Sequence, residues 1–186
     1  NLTWSSAHDA GMYDAINRGL RRASGDILAY LNCDEQYLPG ALPLVQRYFA
    51  DHAEVDVAFG DAVVVAADGS YLCHRRSLLP GKRHTQVSGA LCVFTAATFF
   101  RRRLLDRGGA YFDPRLRALG DAHWVLELLE RGTTMGLLRA FTSTFTAAGE
   151  RLSHSLEAQS EREALRRSAP AWARASKAAS RSRPTR

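Results

Sequence analysis

Residues 8–42 read HDAGMYDAINRGLRRASGDILAYLNCDEQYLPGAL. Met12, Ala15, Ile16, Gly19, Leu20 and Ala23 recur at the spacing of one helix face, and Ser24-Gly25 ends the pattern, so the span 9–23 is predicted to be an amphipathic helix. Ile27 to Leu31 is a short apolar run between Gly25-Asp26 and Asn32, the pattern of a strand covered on both faces, and it stops on Asp34 and Glu35. Pro39-Gly40 then opens a second helix with Leu42, Val45 and Phe49 on one face. Pro39 is tolerated in its first turn because the missing N–H would have no partner there. Helix, buried strand, acidic turn and helix form the alternation of an α/β sheet, in which ligands collect outside the carboxyl ends of the strands.

Working outward, Val55 to Phe59 reads as a strand and Gly60-Asp61 as a turn. Ala62 to Val65 and Tyr71-Leu72 then read as a hairpin around Asp68-Gly69, which makes the strand content mixed. Residues 75–90 are rich in Arg, Lys, His, Gly and Ser, lack periodicity, and are expected to form a mobile surface loop of the kind that faces substrates. A helix is predicted near Phe99 to Arg107, closed by Gly108-Gly109, and a clearer one from Asp121 to Arg131 ahead of Gly132. Thr134 to Phe145 reads as a late strand and Glu157 to Arg167 as a charged helix. From Pro170 the chain is Ala, Arg and Ser with Trp172 as its last large apolar residue, so burial would not offset the entropy of ordering and disorder is expected. The organisation is one domain over residues 1–168 and a basic tail over 169–186.

With 186 residues, 46% of them apolar, the chain can build one sizeable core. No run approaches the roughly 20 apolar residues of a membrane-spanning helix. Cys33, Cys73 and Cys92 are odd in number and widely spaced, which fits reduced cytoplasmic thiols better than disulfides or a zinc site. The net charge of +6 is concentrated in Arg174, Lys177, Arg181, Arg183 and Arg186, a stretch without acids, and the remainder is close to neutral. Positive charge in low-complexity sequence without aromatic or amide readers argues against a nucleic-acid partner. Peripheral contact with the inner face of a membrane is the tail's other use.

Two adjacent carboxylates repel if both are ionised and buried, so Asp34 and Glu35 need either exposure or a cation. Their oxygens suit Mg2+ or Mn2+, and such an ion bridging a diphosphate neutralises the charge on a leaving nucleoside diphosphate. The plainer alternative is a solvated pair in a turn before a proline.

The surrounding string weighs for the first. In order and spacing, residues 8–42 resemble the nucleotide-sugar half of family 2 glycosyltransferases with the GT-A fold, whose members read much like D-x-G-x-YDA-x-NKG…A-x-GD…LN-x-DD-x-Y-x-P. GDAVVVAADGSYL at 60–72 is similar to the family's GD…DG hairpin. TFFRRRLLDRGGAYFDPRL at 98–116 and GDAHWVLELLERG at 120–132 are similar to its acceptor-side block. The resemblance spans residues 6–150 and implies an α/β, GT-A-like mixed sheet flanked by helices. Family members begin with strands that hold the nucleobase, which this sequence lacks, so residues 1–168 are expected to be an amino-terminally truncated, partial GT-A domain.

By this resemblance Asp34 faces the ribose and diphosphate and, with Glu35, takes the metal position for Mg2+ or Mn2+. Glu35 departs from the family's Asp by one methylene. Asp9, Gly11 and Asn17 match the segment beside the donor, where Gly11 lets the backbone approach closely. Ser6-Ala7-His8 stands where members often carry Ser-Glu-Pro. For Asn17 a buried helix-packing amide is an equal alternative. Asp121 matches the late carboxylate that takes the acceptor's proton, with a plain helix cap as its other reading.

His123 lies about 200° around the helix from Asp121 and makes no dyad with it. Trp124 is either a sugar-stacking ring or a core anchor, and Arg101-Arg102-Arg103 either a phosphate clamp or a solvated helix face. Walker, GxGxxG, Ser-His-Asp and Cys-His patterns are missing, so kinase, dehydrogenase and hydrolase chemistries lack a starting residue. The implied function is an inverting glycosyltransferase acting in the cytoplasm. It would move a sugar from a UDP-, GDP- or dTDP-sugar to the hydroxyl of a saccharide or lipid-linked acceptor in cell-surface polysaccharide or glycoconjugate synthesis. A non-catalytic, glycosyltransferase-like binding domain is the alternative.

Overall fold

The computed structural model of the chain describes residues 3–147 and 155–173. Strands β1 (Ile27–Leu28), β2 (Gln36–Tyr37), β3 (Val57–Ala66), β4 (Tyr71–Arg75), β5 (Thr98–Arg101) and β6 (Met135–Ala147) form one mixed sheet in the order β1-β5-β3-β6-β2, with β4 hairpinned onto β3. Every pairing is antiparallel except β3 with β6. The helices are α1 (Met12–Arg22), α2 (Ala41–Asp51), α3 (Lys82–Ser88), α4 (Arg103–Gly108), α5 (Gly120–Glu130) and α6 (Leu156–Ser168).

The period-two alternation of strands divides the core between the two faces of the sheet. Leu28, Val57, Phe59 and Phe100 pack with Tyr13 and Leu20 of α1 and with Trp124, Val125 and Leu128 of α5. Ile27, Ala58, Phe99 and Leu138 pack on the other side with Val45 and Phe49 of α2. The strand at 27–31 is thus covered on both faces as expected, although only two of its residues pair.

Four elements differ from the sequence reading. Phe99 and Phe100 stand on β5 rather than on a helix: adjacent phenylalanines, each about 1% exposed, point to opposite sides of the sheet, which an α-helix could not arrange. Gly60-Asp61 is no turn but an irregularity inside β3, where the register with β6 shifts on both sides of Asp61. A Cβ on Gly60 would run into the Thr142 side chain of β6. Residues 75–90, expected as a mobile loop, contain α3, whose buried side chains Thr85 and Gln86 are polar, so no apolar period announced it. Pro39 precedes α2, with Gly40 as its cap at φ 78°, and Pro43 takes the first-turn place.

α6 packs Leu165 against Leu119, Ala122 and Leu126. The chain stays ordered beyond Pro170, with Ala169 and Ala173 buried. The rest of the expected tail, residues 174–186, lies outside the described residues.

Candidate active site

Asp121 stands in the first turn of α5, where two distant parts of the chain, α1 and α6, position it. Its backbone N–H donates to the Tyr13 hydroxyl at 3.3 Å, and its Oδ1 accepts the Ala122 N–H at 2.8 Å. Gly120 allows Tyr13 this close, because a Cβ there would stand 2.5 Å from the tyrosine ring. The turn leading into α5 is held by Glu161 of α6, which accepts the N–H groups of Arg117, Ala118 and Leu119 at 2.6, 3.1 and 2.7 Å. A carboxylate from another helix thereby satisfies donors that have no local partner.

Asp121 borders a narrow cleft with Tyr30, Val93, Thr95, Phe112 and Trp124, with room for about one water. Burial there pushes its carboxyl from 3.8 up to about 6, with the Glu161 charge adding to the rise and the Ala122 N–H opposing it. Such a group is ionised at neutral pH yet more basic than an exposed aspartate, the property wanted of a general base.

Tyr30 lines the same cleft and stands four residues before Asp34 in the chain. Its ring meets Phe112 edge-on at 5.5 Å. Burial holds its hydroxyl well above the ordinary tyrosine value, and the charges of Asp121 and, less strongly, Glu35 push the same way, so both carboxylates act on one hydroxyl.

At the turn Asp34 is exposed, and its carbonyl accepts the Thr146 hydroxyl at 2.5 Å. Glu35 is only 8% exposed and turns inward, its Oε2 accepting the Asn32 N–H at 2.9 Å. Burial raises its pKa against the pull of that hydrogen bond, and the neighbouring Asp34 charge adds to the rise. Mg2+ is commonly bound by one or two carboxylates with substrate phosphates and water; here Asp34 offers an exposed carboxylate and Glu35 an inward one whose Oε2 is engaged by the Asn32 N–H. No cluster of three or more His, Cys, Asp or Glu able to hold an ion unaided occurs among the described residues, so an ion here would depend on the diphosphate.

Two of the other residues singled out as donor-side, Gly11 and Asn17, pack against the segment that leads to Asp121. Asp9 is exposed and accepts the Gly11 N–H at 2.9 Å. Gly11 has φ 130°, and a Cβ on it would run into the Arg117 guanidinium, which bonds the Ala10 carbonyl. Asn17 is buried and uses both ends of its amide on Phe112, donating to the carbonyl at 2.7 Å and accepting the N–H at 3.0 Å. This is the packing amide of the two alternatives.

Trp124 is a core anchor, stacked on Phe112 at 5.0 Å with its Nε1 donating to the Ala110 carbonyl at 2.7 Å. The three arginines are neither clamp nor solvated face. Arg101 donates to the carbonyls of Phe49, His52 and Val55, Arg102 to those of Ala23 and Gly25, and Arg103 pairs with Asp56 at 2.5 Å. The sequence reading missed Tyr13, Tyr30 and Glu161. The two tyrosines lie inside the stretch that decided the fold, whereas nothing local marks Glu161 among the charges of α6.

The family model for Glycosyl transferase family 2 matches residues 5–109, more than half of the chain. PGL/p-HBAD biosynthesis glycosyltransferases of Mycobacterium tuberculosis and Mycobacterium bovis are 30% identical over 118 residues, which cover 61% of this chain and 41% of theirs. The chain therefore spans about two fifths of the length of these curated relatives. Among solved structures, S. aureus TarS in complex with UDP-GlcNAc superposes with a TM-score of 0.60 at 16% identity, covering 83% of this chain and 44% of that one. Its complex with UDP gives 0.55 at 16% identity over 74% and 40%. These two likenesses show a common fold, the mixed sheet flanked by helices of GT-A proteins. On the match across residues 5–109, the chain belongs to glycosyl transferase family 2.

Proposed function

We propose that the chain carries the transfer site of an inverting glycosyltransferase that moves a sugar from a nucleoside-diphosphate donor to an acceptor hydroxyl in polysaccharide or glycoconjugate synthesis. The observation that carries this reading is the placement of the Asp121 carboxyl, held by Tyr13 and the Glu161-braced turn beside a cleft that Tyr30 also lines, with burial raising it to about 6. Asp121 accepts the proton of the acceptor hydroxyl as that oxygen attacks the anomeric carbon. The bond from that carbon to the diphosphate oxygen breaks on the opposite face, so the configuration inverts. Asp34 holds the ribose and diphosphate, Asp9 and Gly11 border the donor, and Asn17 keeps Phe112 against Tyr30. Asp34 and Glu35 would hold Mg2+ or Mn2+, which when bound offsets the charge developing on the departing diphosphate. The UDP-GlcNAc and UDP complexes of TarS support a nucleotide-sugar donor, and three free cysteines fit a cytoplasmic setting.

The test is calorimetric titration of UDP, GDP and dTDP with and without Mn2+, beside release of nucleoside diphosphate from the sugar donors. Both are run on this chain and on a form that includes any upstream coding sequence. Binding that depends on Mn2+ and is lost in Asp34→Asn, with turnover but not binding lost in Asp121→Asn, is the expected result. If the longer form binds no nucleoside diphosphate, the transferase reading falls.

A further inference from the structure

We infer that the loop between β4 and α3 is a docking surface for an anionic lipid bilayer. Its base is pinned. The Ser77 N–H donates to Asp61 Oδ1 at 2.9 Å, its hydroxyl to the Gly60 carbonyl at 2.6 Å, its carbonyl accepts Arg139 Nη1 at 2.9 Å, and the Leu78 N–H donates to the Cys92 carbonyl at 2.9 Å. Pro80 is buried on the far side. Between these anchors Leu78 and Leu79 are 57% and 52% exposed. Two adjacent leucines on a well-held loop cannot fold back to bury themselves, so their exposure is built in, and water is a poor partner for them.

The charge carried by this stretch of chain has one sign. Arg75, Arg76, Lys82 and Arg83 flank the pair and are all exposed, and no Asp or Glu occurs between Asp68 and Asp106. Among the described residues, acids from other elements near this loop include Asp61, buried beneath Ser77, and Glu130, 3.0 Å from the Lys82 ammonium. The Arg83 guanidinium lies 4.3 Å over the ring of Trp172, which is itself 58% exposed. Apolar tips, an interfacial indole and surrounding cations match the boundary of an anionic bilayer, where leucines enter the acyl region, Trp sits at the headgroups and each cation near the surface strengthens binding about fivefold. A saccharide would be met by amides and carboxylates instead. No helix among the described residues is long and apolar enough to cross a membrane, so this contact is peripheral.

The test is co-sedimentation with vesicles of phosphatidylglycerol and phosphatidylcholine against vesicles of phosphatidylcholine alone, with melting curves to verify folding. Binding to the anionic vesicles only, weakened by high salt, is expected. It should fall about tenfold or more in Leu78→Ser/Leu79→Ser and in Arg75→Glu/Arg76→Glu, with nucleoside-diphosphate affinity unchanged. Replacing Arg174, Lys177, Arg181, Arg183 and Arg186 by Gln should weaken binding less than either loop variant. The proposal is overturned if the loop variants bind like the parent while the tail variant does not, if vesicle charge makes no difference, or if the same leucines instead support a lipid-independent doubling of mass.

Discussion

Glu35 takes its hydrogen bonds from Asn32, three residues back, whereas Asp121 is positioned by Tyr13, 108 residues away, and by Glu161 from a different helix. Asp34 at the same turn lies in solvent, and Asp121 faces a cleft with room for about one water. The acidic turn is mainly a local device that a short peptide could half describe. The proposed base is a property of the assembled fold, because the Tyr13 and Glu161 contacts that place it each close a long stretch of chain. Substitutions at the base should therefore move catalysis and stability together, and substitutions at the turn should touch ligand affinity alone.

The strongest way to break the contrast is Asp121→Asn. If Asp121 is the proton acceptor as proposed, its loss is expected to lower transfer by about 10²- to 10⁴-fold. The same change should stabilise the protein. Burial raises the carboxyl from 3.8 to about 6, so the folded state binds the proton more tightly than the unfolded chain, and stability falls as pH rises through that window. Above pH 6 the deficit is at most about 3 kcal/mol, and asparagine removes it. Urea unfolding should show Asp121→Asn gaining at pH 7.5 and gaining nothing near pH 4. An equal effect at both would mean that the carboxyl is not desolvated.

Next in size is Asn17→Ala. It strands the buried N–H and carbonyl of Phe112 and should cost about 2–4 kcal/mol in chemical denaturation, with nucleoside-diphosphate affinity of the folded protein kept. A weakened affinity at unchanged stability would instead return Asn17 to the donor. Gly120→Ala follows at about 1–3 kcal/mol, since its methyl must displace the Tyr13 ring. Because that ring positions the Asp121 N–H, kcat should fall more than KM changes.

The same contrast explains what the sequence disclosed. Period and punctuation announced α1, α2 and α5, whose apolar stripes end at Gly or Asp, and a run of Thr, Leu and Phe announced β6. α3 was illegible because its inward side chains, Thr85 and Gln86, are polar. β5 was misread because Phe99-Phe100-Arg101 carries no alternation when both faces of a strand are covered. At the site, Asp34, Glu35 and Asp121 could be picked from their order in the chain. The hold of Glu161 on the turn before Asp121 could not, since a partner 42 residues from Leu119 leaves no spacing to detect. Likewise the arginine triplet could not be told from a phosphate clamp until its carbonyl partners on distant turns were visible.

Glu35→Gln is the smallest and most local change, and it divides two roles that the turn combines. A glutamine carbonyl can still accept the Asn32 N–H, so the bracket across the turn survives. Burial raises the Glu35 pKa, which means that ionisation costs the fold a little as pH rises through the carboxylate range. Removing the charge should therefore leave stability near neutral pH equal or slightly higher, by less than about 1 kcal/mol. If Glu35 helps hold the ion, the same substitution removes a hard anionic oxygen, and the Mn2+ concentration giving half-maximal nucleoside-diphosphate binding should rise about tenfold. If it does not move, Glu35 serves only to brace the turn, and Asp34 with the diphosphate holds the ion alone.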